Sequence, residues 1–124
     1  MLRENLRGRA CDEVMELELK GYKLKGFEET LNNKTFPKLA ELDLSNNEFS
    51  SVKMLGYLPN LKILILQSNK IETLHCNTDM SILKGLNGCH TLEILDISNN
   101  LLKDFYGLHL CKLGELKILK APKN

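Results

Sequence analysis

Five times along this chain one frame returns: a leucine-like residue, two variable, leucine-like, one variable, leucine-like, two variable, asparagine, one variable, leucine-like. It reads Leu39, Leu42, Leu44, Asn47 and Phe49, then Leu61, Leu64, Leu66, Asn69 and Ile71, then Leu92, Leu95, Ile97, Asn100 and Leu102. A looser copy is Val14, Leu17, Leu19, Tyr22 and Leu24, and a shortened one is Leu116, Leu119, Ala121 and Asn124. The copies start at 14, 39, 61, 92 and 116, which gives spacings of 25, 22, 31 and 24 residues. A unit this short cannot bury its apolar side alone, so successive units must stack into a solenoid.

The centre of each frame alternates as a short strand does: Leu17-Glu-Leu19, Leu42-Asp-Leu44, Leu64-Ile-Leu66, Leu95-Asp-Ile97 and Leu119-Lys-Ala121. Stacking lays these strands side by side as a parallel sheet, leucines inward and the intervening residues on the open face. The asparagine marks the turn out of the strand, where backbone donors and acceptors are left near the core. A carboxamide both donates and accepts, so it can tie neighbouring turns together. Asn47, Asn69, Asn100 and Asn124 hold this slot, and Tyr22 replaces it in the first copy. After Asn47, apolar residues fall at every third position (Phe49, Val52, Leu55, Leu58, Leu61), which predicts a tight 3₁₀-like or helical return.

Residues 1–13 read as a helical N-terminal cap, with Leu2, Leu6 and Ala10 at helical spacing among Arg3, Arg7 and Arg9. Residues 14–124 read as one domain of about five repeats, the last incomplete. A solenoid needs its edges covered, so the expectation is a domain within a longer protein, monomeric in itself. The segment from His75 to Gly88 is an insertion; Asp79 or Ser81 would cap a short helix carrying Ile82, Leu83 and Leu86.

Composition removes several function classes. The chain holds 26 leucines and 12 asparagines, both well above ordinary usage, and the repeat frame explains most of the excess. A net charge of +1 gives no basic field for nucleic acid or a membrane surface. No apolar run reaches the roughly 18 residues of a transmembrane helix, and no secretory h-region follows Met1. Cys11, Cys76, Cys89 and Cys111 lack metal-knuckle or redox spacing and read as free thiols of an intracellular protein. Cys89 takes a leucine slot as a small buried hydrophobe. His75, Cys76 and Cys89 match no ligand pattern, and His75, His90 and His109 sit in no catalytic motif. Neither a cofactor, a metal nor an enzymatic activity is expected.

The frame resembles the leucine-rich repeat superfamily over about residues 14–124. The 22-residue unit resembles the short-repeat subfamily that includes the phosphatase-regulating subunit and the spliceosomal A-prime protein. The stretch Glu16-Leu-Glu-Leu-Lys-Gly-Tyr-Lys-Leu24 looks like the first A-prime repeat, tyrosine included. The resemblance implies an α/β fold: a curved parallel sheet on the concave face with helical or 3₁₀ returns behind it. It also implies an intracellular protein that binds another protein through that face. The 31-residue spacing and the missing Asn-Pro cap depart from the subfamily, and the cysteine-rich caps usual in extracellular members are missing too.

The expected binding surface is therefore the outward strand positions. One column runs Glu16, Glu41, Ile63, Ile94 and Ile118; the other runs Glu18, Asp43, Ile65, Asp96 and Lys120. The first two repeats present four carboxylates, the next two the cluster of Ile63, Ile65 and Ile94 beside Asp96, and the last Lys117, Lys120 and Lys123. An apolar patch rimmed by charge suits a protein partner, although β-branched residues also favour strands for their own sake. Two other roles fit the resemblance: holding an RNA-binding partner within a ribonucleoprotein, without direct RNA contact, or spacing other domains in a long chain.

Overall fold

A computed structural model describes residues 10–74, 85–103 and 113–124. Each frame contributes one three-residue strand: β1 (Glu16–Glu18), β2 (Glu41–Asp43), β3 (Ile63–Ile65), β4 (Ile94–Asp96) and β5 (Ile118–Lys120). They form one parallel sheet in sequence order, β1-β2-β3-β4-β5. The register is constant: Leu17, Leu42, Leu64, Leu95 and Leu119 lie in one row across all four junctions. Spacings that vary between 22 and 31 residues are absorbed outside the strands, as a solenoid requires.

The backbone bonds repeat as faithfully as the sequence. The N–H groups of Ala40 and Glu41 donate to Met15 O, those of Lys62 and Ile63 to Ala40 O, those of Glu93 and Ile94 to Lys62 O, and those of Lys117 and Ile118 to Glu93 O. Just before each strand, an i→i+3 bond tightens the chain. Val14, Leu39, Leu61, Leu92 and Leu116 donate to Cys11, Phe36, Leu58, Cys89 and Leu113 at 3.1–3.3 Å. The three-residue apolar spacing thus produces isolated 3₁₀-type turns rather than continuous helix. Among the described residues the 3₁₀ segments are Cys11–Glu13 and Gly85–Gly88. The return after β2 runs instead through turns and an isolated bridge between Leu31 and Leu55. The helical part of the expected N-terminal cap (Leu2, Leu6) and the capped helix around Asp79 and Ile82 lie outside the described residues.

Four asparagines rivet the turns, and each one reaches backward. Asn69 donates from Nδ2 to Leu66 O of its own coil and to Leu44 O of the preceding one, both at 3.0 Å, while its Oδ1 accepts from Phe49 N. Asn47 bridges to Leu19 O and accepts from Tyr22 N and Leu24 N. Asn100 bridges to Leu66 O and accepts from Ile71 N; Asn124 bridges to Ile97 O and accepts from Leu102 N. Tyr22 holds the slot in the first coil, and its backbone N–H donates to Asn47 Oδ1 of the next. The residue ahead of the slot is left-handed in every coil: Gly21, Asn46, Ser68, Asn99 and Lys123, with φ between 53° and 80°. That conformation is natural for glycine and tolerable for asparagine.

The inward leucines Leu17, Leu42, Leu64 and Leu95 are buried, with Leu19, Leu44, Leu66 and Ile97 beside them. Phe36, Phe49, Val52, Leu55 and Leu58 close the core from behind, and Phe27 packs at its margin with its ring 5.7 Å from that of Phe49. The last coil is different: Leu119, in the same row, is 40% exposed.

Candidate functional site

Alternation along each three-residue strand puts its first and third side chains on the face away from the core. All ten residues expected there are present on it, in two straight columns. Glu16, Glu41, Ile63, Ile94 and Ile118 pair in one, and Glu18, Asp43, Ile65, Asp96 and Lys120 in the other. Exposure follows the rows: Glu16, Glu18 and Glu41 are open to solvent, Ile63, Ile65 and Ile94 are half-buried, and Ile118 and Lys120 are open again. A depression of about 730 Å³ over β1–β3 is lined by these carboxylates, Ile63 and Ile65, together with Lys20 and Tyr22.

Two of the ten also have work inside the fold. Asp43 Oδ1 accepts from Ser45 N at 2.9 Å, and Asp96 Oδ1 accepts from Ser98 N at 3.0 Å and Ser98 Oγ at 2.6 Å. Asp96 is buried. These are Asx turns that hold the chain as it leaves the strand. Their sequence signal is the shared Asp-x-Ser-Asn-Asn of coils two and four, read in the sequence only as a column of charge.

A row just before the strands carries further charge. Glu93 lies between Lys62 at 3.7 Å and Lys117 at 2.9 Å. The hydrogen bond and charge of Lys117, helped by Lys62, hold the Glu93 carboxyl below its ordinary value, and the same pair raises the Lys117 ammonium. The two lysines and Glu93 stand opposite one another because their backbones bond in register, a signal visible only once the frame is aligned.

Nothing in the described residues assembles a reactive centre. No group of three His, Cys, Asp or Glu there could hold a metal ion. His90 stacks on Tyr57, ring centroids 6.1 Å apart and nearly parallel. His75, Cys76, His109 and Cys111 lie outside the described residues. Burial pushes the Cys89 thiol up to about 12, which leaves it a neutral core side chain. No helix among the described residues is long and apolar enough to cross a membrane.

Comparison with known proteins agrees with the repeat geometry. A family model of leucine-rich repeats in two copies matches residues 37–75, and a second leucine-rich repeat model matches residues 88–104. The chain is similar to a Roc-COR-CHAT protease from an unknown prokaryotic organism, 30% identical over 85% of this chain and 12% of that protein. It is also similar to Toll-like receptor 2 type-2 of Gallus gallus, 34% identical over 68% of this chain and 13% of the receptor. It therefore spans about an eighth of each relative's length. The family matches, the unbroken leucine row and the asparagine ladder together place this chain in the leucine-rich repeat superfamily.

Proposed function

We propose that this chain is a protein-interaction module whose open sheet face, the concave side of a leucine-rich repeat, engages another protein. The observation that carries the reading is the cluster of Ile63, Ile65 and Ile94, half-exposed on a sheet face whose neighbouring rows are charged. A sheet face without a partner is ordinarily kept polar, and an apolar centre inside a charged rim is how protein-binding patches are built. Glu16, Glu18, Glu41 and Lys120 form the rim, Ile118 continues the apolar column beside Ile94, and Asp43 and Asp96 support the rim through their turns. The role is binding rather than catalysis, and the partner is a protein rather than a nucleic acid or a membrane. Free Cys11 and buried Cys89 are in keeping with an intracellular protein. The activity of any longer protein in which this domain sits is set by its other parts, as the small share of each relative's length suggests.

The test is affinity capture from cell extract with the wild-type domain and with Ile63→Arg/Ile94→Arg, after circular dichroism shows that both fold alike. Loss of specific partners from the double variant supports the face as the contact. Partners retained unchanged would refute it.

A further inference from the structure

Charge on the open face is segregated by strand, and the segregation costs the free protein something. Glu16 stands in register with Glu41, and Glu18 with Asp43, so like charges face each other in both columns of β1–β2. Cross-strand like charges are destabilising, and strands about 4.8 Å apart bring carboxylates close. Among the described residues Glu16, Glu18 and Glu41 make no ion pair. If the only task were to keep the sheet wet, alternating signs would do it without this repulsion. The next two strands are uncharged at Ile63, Ile65 and Ile94, and the fifth carries exposed Lys120 opposite buried Asp96, with which it forms no ion pair.

Resting on the binding reading above, we infer that the occupant is an elongated protein segment lying across the strands in one polarity. Its basic residues sit over β1–β2, its apolar residues over Ile63, Ile65 and Ile94, and its acidic end over Lys120. Basic side chains relieve the stacked carboxylates, whereas the opposite placement would add acid to acid over Glu16 and Glu18. The scale is fixed by the sheet. The acidic and apolar centres are two strand spacings apart, about 10 Å. That corresponds to about three residues of extended segment or about six to seven of helix. The whole face spans about 19 Å.

The experiment selects binders from a displayed library of random 16-residue peptides on the wild-type domain, on Ile63→Arg/Ile94→Arg and on Glu16→Lys/Glu18→Lys. The last variant places new charges opposite Glu41 and Asp43, so it keeps or gains stability while erasing the acidic end. The expected peptides carry Lys or Arg at one end, apolar residues in the middle and Asp or Glu at the other. Their affinity falls about tenfold or more on Glu16→Lys/Glu18→Lys and is lost on Ile63→Arg/Ile94→Arg. A nitroxide on the basic end then broadens the amide signals of β1–β2, and one on the acidic end those of β5. Peptides that need Ile63 and Ile94 but show no charge order, or ignore Glu16→Lys/Glu18→Lys, overturn the polarity and leave the binding face standing. Peptides indifferent to Ile63→Arg/Ile94→Arg, or no enrichment at all, overturn both.

Discussion

Replacing Asn69 by alanine removes a rivet between the second and third coils whose bonds can be counted. Nδ2 loses Leu44 O and Leu66 O at 3.0 Å and a longer bond to Gln67 O, and Oδ1 abandons Phe49 N at 3.1 Å. Asn69 is 7% exposed, so water cannot replace these partners without opening the core. Three well-formed bonds contribute about 1 kcal/mol each, and an orphaned buried N–H adds a desolvation cost of about 1–3 kcal/mol. The two figures overlap, so the expected loss is about 3–5 kcal/mol, a large share of a small domain's stability. Asn124 makes the same set of bonds to Ile97 O, Ala121 O and Leu102 N, but at an exposed end. Water substitutes there, and Asn124→Ala costs about 1 kcal/mol. Urea unfolding followed by far-ultraviolet circular dichroism measures both. Asn69→Asp is the chemical control: it keeps an acceptor for Phe49 but turns a charge toward carbonyl oxygens, so it is at least as damaging as alanine at neutral pH. A difference between Asn69→Ala and Asn124→Ala of less than about 1 kcal/mol, the net contribution of a single hydrogen bond, would refute burial as the source of the larger cost.

Other perturbations test other parts of the fold. A Cβ on Gly56 would meet Leu31 O and Asn32 Cβ at 3.0 Å, where the Gly56 N–H donates to Leu31 O; one on Gly114 meets nothing within 4 Å. Gly56→Ala should therefore destabilise by about 1–3 kcal/mol, and Gly114→Ala should leave the urea midpoint nearly unchanged. Leu64→Ala, at a fully buried site, should cost about 2–5 kcal/mol, whereas Leu119→Ala, at a residue 40% exposed, should cost clearly less in the same titration. The carboxyl of Glu93 is held below its ordinary 4.5, so its contribution is complete above that pH and is lost as pH falls through the lowered value. The raised Lys117 ammonium contributes below its ordinary 10.5 and is lost as pH rises through the raised value. Comparing Glu93→Gln with wild type across pH should show a stability difference at neutrality that closes in acid; a difference independent of pH would remove the ion pairs as its cause.

What the sequence made legible and what it hid divide along physical lines. The frame fixes which residues are strands, which leucines point inward and which columns share a face. All three depend on a period-two alternation and a constant register, and Glu16, Glu41, Ile63, Ile94 and Ile118 do align across every junction. The asparagine slot was legible as a turn tie, but its backward direction was not. Direction depends on which coil supplies the acceptor, as when Asn47 reaches Leu19 O, 28 residues upstream. The return was harder because an apolar residue at every third place satisfies both a 3₁₀ helix and a chain that merely turns inward at intervals. Leu58 and Leu61 do the second, sharing one i→i+3 bond before β3. Asp43 and Asp96 look like any outward carboxylate until the Ser45 and Ser98 amides are seen folding back on them.

Carboxyl footprinting tests most directly whether the open sheet face is the contact surface. The partner retained by the wild-type domain and lost by Ile63→Arg/Ile94→Arg is bound, and solvent-accessible carboxylates are labelled with a carbodiimide and an amine. Glu16, Glu18 and Glu41 lie on the face, while exposed Glu28, Glu29 and Glu72 lie outside the strands. If the partner lies on this face, labelling of the first three falls on binding while that of the other three is unchanged. Protection of Glu28, Glu29 or Glu72 with Glu16, Glu18 and Glu41 still fully labelled would contradict that placement.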